Sequence, residues 1–156
     1  MKQANHHGTS VLIWVAGTLL LVASLALAAQ LYAEDQATDD RAFFVAKGRV
    51  TYRVYCINCH GAKAKGDGAL AEMLTTRPAD LTQLKANSDN KYPADKVRDI
   101  IDGRGEVRAH GMQEMPVWGD VFQTSSLEPS GSDESGEDRA RRKVHELVLY
   151  LESIQE

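Results

Sequence analysis

The chain has only two cysteines, Cys56 and Cys59, and His60 follows the second directly. Any fold of this sequence must therefore present two thiols and an imidazole from one short stretch of backbone. Such a pair can be a disulfide, half of a metal site, a redox couple or an anchor for haem. The surroundings choose among these.

A thioredoxin-type couple needs a βαβ setting, and no strand-like alternation precedes Cys56. A structural zinc site needs two further ligands. Besides His60 the chain offers His6, His7, His110 and His145, and the first two belong to the N-terminal segment. Haem attachment needs what is present. Two thiols at this spacing can add across two vinyl groups from one edge of a tight turn, and the adjacent histidine can meet the iron. The expectation is one covalent haem c on Cys56, Cys59 and His60.

Iron held by one histidine takes a second axial ligand or keeps an open position. Met115 precedes Pro116 in Met-Pro-Val-Trp-Gly, within a stretch bracketed by Gly111 and Gly119. A loop lets a thioether reach iron without distorting a helix, and Pro116 stiffens the neighbouring backbone. Met115 is the expected ligand, with Met112, His110 and an open site as rivals. Met73 lies on an apolar helical face, where methionine usually fills core.

Val11 to Ala29 runs 19 residues without a charge. That length lies between a signal peptide and a membrane span. Ala26-Leu27-Ala28 fits the small-x-small rule of cleavage, whereas the length of the run argues for retention. Trp14 and Tyr32 stand 18 residues apart, about 27 Å along a helix, which suits interfacial aromatics. Residues 1–33 are thus a signal peptide or a membrane anchor, and both export the rest. Residues 34–41 read as a polar, acidic tether, and residues 42–156 as the folded domain.

Helical periodicity dominates that domain, which reads as all-α. A first helix is expected from behind Asp39–Asp40 into Cys56, a short one around Gly68 to Leu74, and a compact one from Pro93 to Asp102 stopped by Gly103. Another turn or two is expected within Met115 to Phe122. Ser135, three residues before Asp138, caps a last helix. On it Ala140, Val144, Leu147, Val148, Leu151 and Ile154 form one apolar face, most simply packed on the first helix. From Glu34 to Gly119 acids and bases balance at 13 each, but Asp120 to Asp138 holds six acids and no base. The acidity is local, and residues 123–137 read as a solvated acidic loop. The net charge of −4 and pI near 5.7 give no nucleic-acid footprint.

Between about Gly48 and Ile154 the sequence resembles the class I c-type cytochromes, in particular small bacterial periplasmic ones with a single haem. The resemblance rests on the Cys-x-x-Cys-His motif, the Met-Pro-x-Trp-Gly segment and the closing helix. It also rests on Gly48, Tyr52 and Cys56 at intervals of four, with Leu147, Tyr150 and Leu151 in the last helix. It implies a class I cytochrome c fold, in which N- and C-terminal helices cross, here at Gly48, around one haem. It implies further that the Pro78 carbonyl accepts a hydrogen bond from the axial histidine. Leu81, Ile100, Ile101, Val117 and Trp118 would wall the haem, and Arg104 or Arg98 would neutralise a propionate.

The function that follows is single-electron transfer in the bacterial periplasm, not catalysis. The redox partners would be a quinol-oxidising complex, a terminal oxidase or a periplasmic dehydrogenase, with the N-terminal helix in the membrane if it is retained. The other readings are a ligand-binding or sensor haem protein with a labile methionine, and a haem subunit of a larger membrane enzyme.

Overall fold

The computed structural model describes residues 7–104, 115–125 and 134–156; side chains are described from residue 24 onward, except at 31, 33–35 and 37. The rival ligands His110 and Met112 lie outside the described residues. Among the described residues every regular element is helical. The chain is all-α, as expected.

It divides into two compact units, Met1–Asp40 and Arg41–Glu156. Helix α1, His7–Tyr55, contributes to both. This corrects the expected start behind Asp39–Asp40. No proline occurs before Pro78, and residues 34–41 hold neither glycine nor proline, so nothing stops the helix there. The expected tether is helical. Among the described residues no helix is long and apolar enough to cross a membrane; residues 11–23 of the apolar run lie outside the described side chains.

In the second unit, α1 ends at Tyr55 and α2, Ile57–His60, follows as a single turn. Two 3-10 turns, Ala71–Met73 and Leu81–Gln83, precede α3, Ala94–Asp102. Gly103 stops α3 in the left-handed region at φ +67°, returning its N–H to Asp99, a conformation glycine adopts without steric cost. Helix α4 is Trp118–Thr124 and α5 is Gly136–Ser153. The Ser135 hydroxyl accepts the Asp138 N–H at 3.1 Å, the expected cap.

The apolar face of α5 is the centre of the core. Ala140, Val144, Leu147, Val148 and Leu151 are buried there with Tyr52, Ala64, Val97, Ile101 and Phe122. That face meets α3 and α4 as well as α1. The crossing of α1 and α5 is tight at Gly48, and Tyr52 packs on Tyr150 with ring centroids 5.3 Å apart. Each fully buried aliphatic side chain adds about 2 kcal/mol, so this one stripe is a principal source of stability for the unit that carries Cys56, Cys59 and His60.

Candidate functional site

Cys56 sits where α1 ends and α2 begins. Its N–H still bonds Tyr52 at 2.8 Å, while its carbonyl accepts both the Cys59 N–H at 3.2 Å and the His60 N–H at 2.9 Å. The three residues of the motif thus hang on one peptide carbonyl. A helix end leaves carbonyls unpaired, and the glycine-rich segment behind the motif satisfies them. Gly66, Gly68 and Leu70 donate to His60, Cys59 and Asn58 at 2.9, 3.1 and 2.8 Å.

Both cysteines are half-buried and not joined to each other. Burial, followed by the neighbouring Cys59, pushes the Cys56 thiol up to about 12. It is therefore protonated at neutral pH, unlike the low-pKa nucleophile of a dithiol redox couple. Among the described residues no cluster of three His, Cys, Asp or Glu could hold a bare metal ion.

His60 Nδ1 lies 3.2 Å from the Ala79 carbonyl oxygen. A carbonyl only accepts, so Nδ1 carries the proton and Nε2 keeps its lone pair. Burial lowers the His60 pKa, with the Ala79 bond acting in the opposite sense. The result is a neutral, oriented imidazole whose Nε2 keeps its lone pair. The expected acceptor was Pro78, so the bond falls one residue later in the chain. The Pro78 carbonyl faces Gly66 instead, where a β-carbon would stand 2.1 Å from its oxygen. Gly66 has φ +73° and permits this approach.

Contacts that sequence reasoning missed hold the Ala79 segment in place. The Leu81 N–H donates to the Ala64 carbonyl at 2.8 Å. Lys65 Nζ donates to Thr82 Oγ1 at 2.8 Å and to Glu156 at 2.5 Å. Asp80 caps the 3-10 turn by accepting the Thr82 N–H at 2.9 Å, an Asp-x-Thr arrangement that was visible in the sequence as an Asx turn.

Leu81, Trp118 and Met115, all expected site residues, belong with Tyr55, Ile57 and Leu84 to the half-buried apolar side chains packed on the core. Trp118 stacks on Phe122 at 5.9 Å and meets Tyr55 edge-on at 5.5 Å. Of the other expected wall residues, Ile101 is fully in the core, and Ile100 and Val117 are half-buried.

Arg104 is engaged by two carboxylates. Its guanidinium donates to Asp102 at 2.8 Å and grips Glu137 with two nitrogens at 2.5 and 3.2 Å. Two carboxylates of this chain, Asp102 and Glu137, pair with it. Arg98 pairs with Asp95. The acidic stretch 123–137 is likewise less solvated than expected at its described ends, since Glu134 binds Arg142 and Glu137 binds Arg104. Residues 126–133 of it lie outside the described residues.

An uncharged thiol at Cys56, a second thiol at Cys59 and a neutral imidazole with Nδ1 engaged by Ala79 form a donor set that fits covalent haem. Compared with protein-family models, curated proteins and solved structures, the chain matches none.

Proposed function

We propose that the second unit is a monohaem c-type cytochrome domain of the class I kind that carries single electrons between redox proteins. The observation that supports this most directly is the one-turn motif in which Cys56, Cys59 and His60 share a carbonyl anchor while His60 Nδ1 is engaged by Ala79.

Cys56 and Cys59 hold the group covalently, and His60 presents Nε2 to its metal. The Ala79 bond keeps the ring from turning and strengthens its basicity. Met115 is the proposed second axial ligand. Leu81, Ile57 and Trp118 exclude water from the site. When bound, the haem supplies a one-electron Fe(III)/Fe(II) couple whose potential a thioether ligand raises. With His60 and Met115 both holding its metal, the group would have no open position for a substrate, so the proposed role is transfer rather than catalysis. Contacts with donor and acceptor of this kind are small and transient. The partners proposed are a quinol-oxidising complex, a terminal oxidase or a periplasmic dehydrogenase. Residues 1–33 are proposed to export the unit to the bacterial periplasm, as a cleaved signal or as a membrane anchor.

A visible spectrum of the exported protein, oxidised and reduced, tests this. A low-spin c-type spectrum with the weak far-red sulfur-to-iron band is expected. A c-type spectrum without that band moves the ligand to His110 or to an open site, and with it the role to sensing or ligand binding. A haem-staining band that survives denaturation in the Cys56→Ala, Cys59→Ala double variant would refute covalent attachment through this motif.

A further inference from the structure

Arg104 and Gly119 meet at the point where the chain comes back from Met115. A β-carbon on Gly119 would stand 2.1 Å from Asp102 Oδ1 and 2.3 Å from Arg104 Nε. One on Gly103 would stand 3.3 Å from the Val117 Cα. Residues 102–104, closing α3, are thus packed directly on residues 117–119, opening α4. Met115 lies three residues before Trp118.

One carboxylate binds this junction to α5. Glu137 takes the two-nitrogen grip of Arg104 and accepts the Gln123 side-chain N–H at 2.6 Å, so it links the end of α3, α4 and the start of α5. It stands in the first turn of α5, where the helix dipole favours a negative charge. The Arg104 side chain is 23% exposed. A two-pronged, partly shielded pair of this kind holds geometry better than a loose surface pair.

We propose that Arg104 and Glu137 are positioning residues for Met115, their ion pair fixing the backbone from which the thioether reaches the iron. This rests on the haem reading above. An added ligand binds the iron only when Met115 is off, so its apparent affinity scales with the fraction of open protein. Loosening the clamp raises that fraction.

The test is imidazole titration of the ferric, haem-loaded full chain, followed in the Soret region and at the far-red band. Wild type, Glu137→Gln and Arg104→Lys are compared, with Ser135→Ala as a control at the same helix end, since the Ser135 hydroxyl bonds Asp138 and neither clamp residue directly. Imidazole should bind both clamp variants about tenfold more tightly, the usual size of an outer-sphere effect on a metal site. It should bind Ser135→Ala as it binds wild type. Wild-type affinity in both clamp variants, whatever their melting temperatures, overturns the proposal, as does equal tightening in Ser135→Ala. A wild type that carries haem but lacks the far-red band also overturns it, while leaving covalent haem standing. A wild type without covalent haem defeats the haem reading itself.

Discussion

Gly48 of α1 and Glu146 of α5 pack backbone against backbone: a β-carbon on Gly48 would lie 2.0 Å from the Glu146 carbonyl oxygen and 2.8 Å from the Tyr150 β-carbon. The obstacle is helix backbone, which cannot turn aside as a side chain would. Gly48→Ala therefore has to push the two helices apart. Overpacking costs about 1–3 kcal/mol, and each kcal/mol lowers Tm by about 4–8 °C in a small domain. Thermal melts followed by circular dichroism check this; an unchanged Tm would mean that the helices do not cross there.

The Tyr52 hydroxyl, buried, donates to the Gly61 carbonyl at 2.7 Å, one residue past His60. Burial raises its pKa beyond the ordinary tyrosine range, so it remains a donor in alkali. Tyr52→Phe keeps the ring on Tyr150 but removes one of the two bonds to that carbonyl, leaving the Ala64 N–H at 3.2 Å, at a cost of about 1 kcal/mol. Urea unfolding should show the loss, while haem staining of the denatured variant should equal wild type.

If Met115 is the axial ligand, Met115→Ala opens the iron. The ferric far-red band should vanish, the reduced protein should bind carbon monoxide at neutral pH, and the potential should fall. Met112→Ala should leave all three readings as they are. The reverse pattern would transfer the ligand role to Met112.

Four carboxylates near the site and at the start of α5 are held below their ordinary pKa values. Asp80 is held chiefly by the Thr82 hydroxyl, Glu134 by Arg142, Glu137 by Arg104 and Asp138 by Ser135. Their contribution to stability is complete above the unfolded values, 3.8 for Asp and 4.5 for Glu, and is lost as pH falls through the lowered folded values. Stability should therefore decline as pH drops below about 4.5, and less steeply in Glu137→Gln. Because solvent still reaches these groups, added salt should shrink the effect. Unfolding midpoints measured from pH 7 to pH 2 decide it; a stability that rises below pH 4.5 would contradict the ion-pair assignments.

What could be read from the sequence was local. The Cys56–His60 turn, the Ser135 cap, the end of α3 at Gly103 and the apolar face of α5 each depend on residues within about one or two helical turns. The first helix was the local exception. Asp39 and Asp40 suit a helix start, yet they lie inside α1, because a good capping residue does not end a helix already under way. Only an interrupting glycine or proline would have done so, and residues 34–41 contain neither.

By itself, then, the sequence determined which groups this protein can offer: two thiols, a histidine, a thioether and the helices that carry them. Their partners were decided by the tertiary structure. Ala79 rather than Pro78 accepts the hydrogen bond from His60, while the Pro78 carbonyl lies against Gly66, twelve positions away in sequence, where there is no β-carbon to exclude it. Arg104 meets Glu137 across 33 positions, and Lys65 meets Glu156 across 91. A hydrogen bond forms within about 3 Å, and sequence spacing specifies positions that finely only inside a turn or a helix. Beyond that range, packing of α3, α4 and α5 sets the distances, and with them the choice of partner.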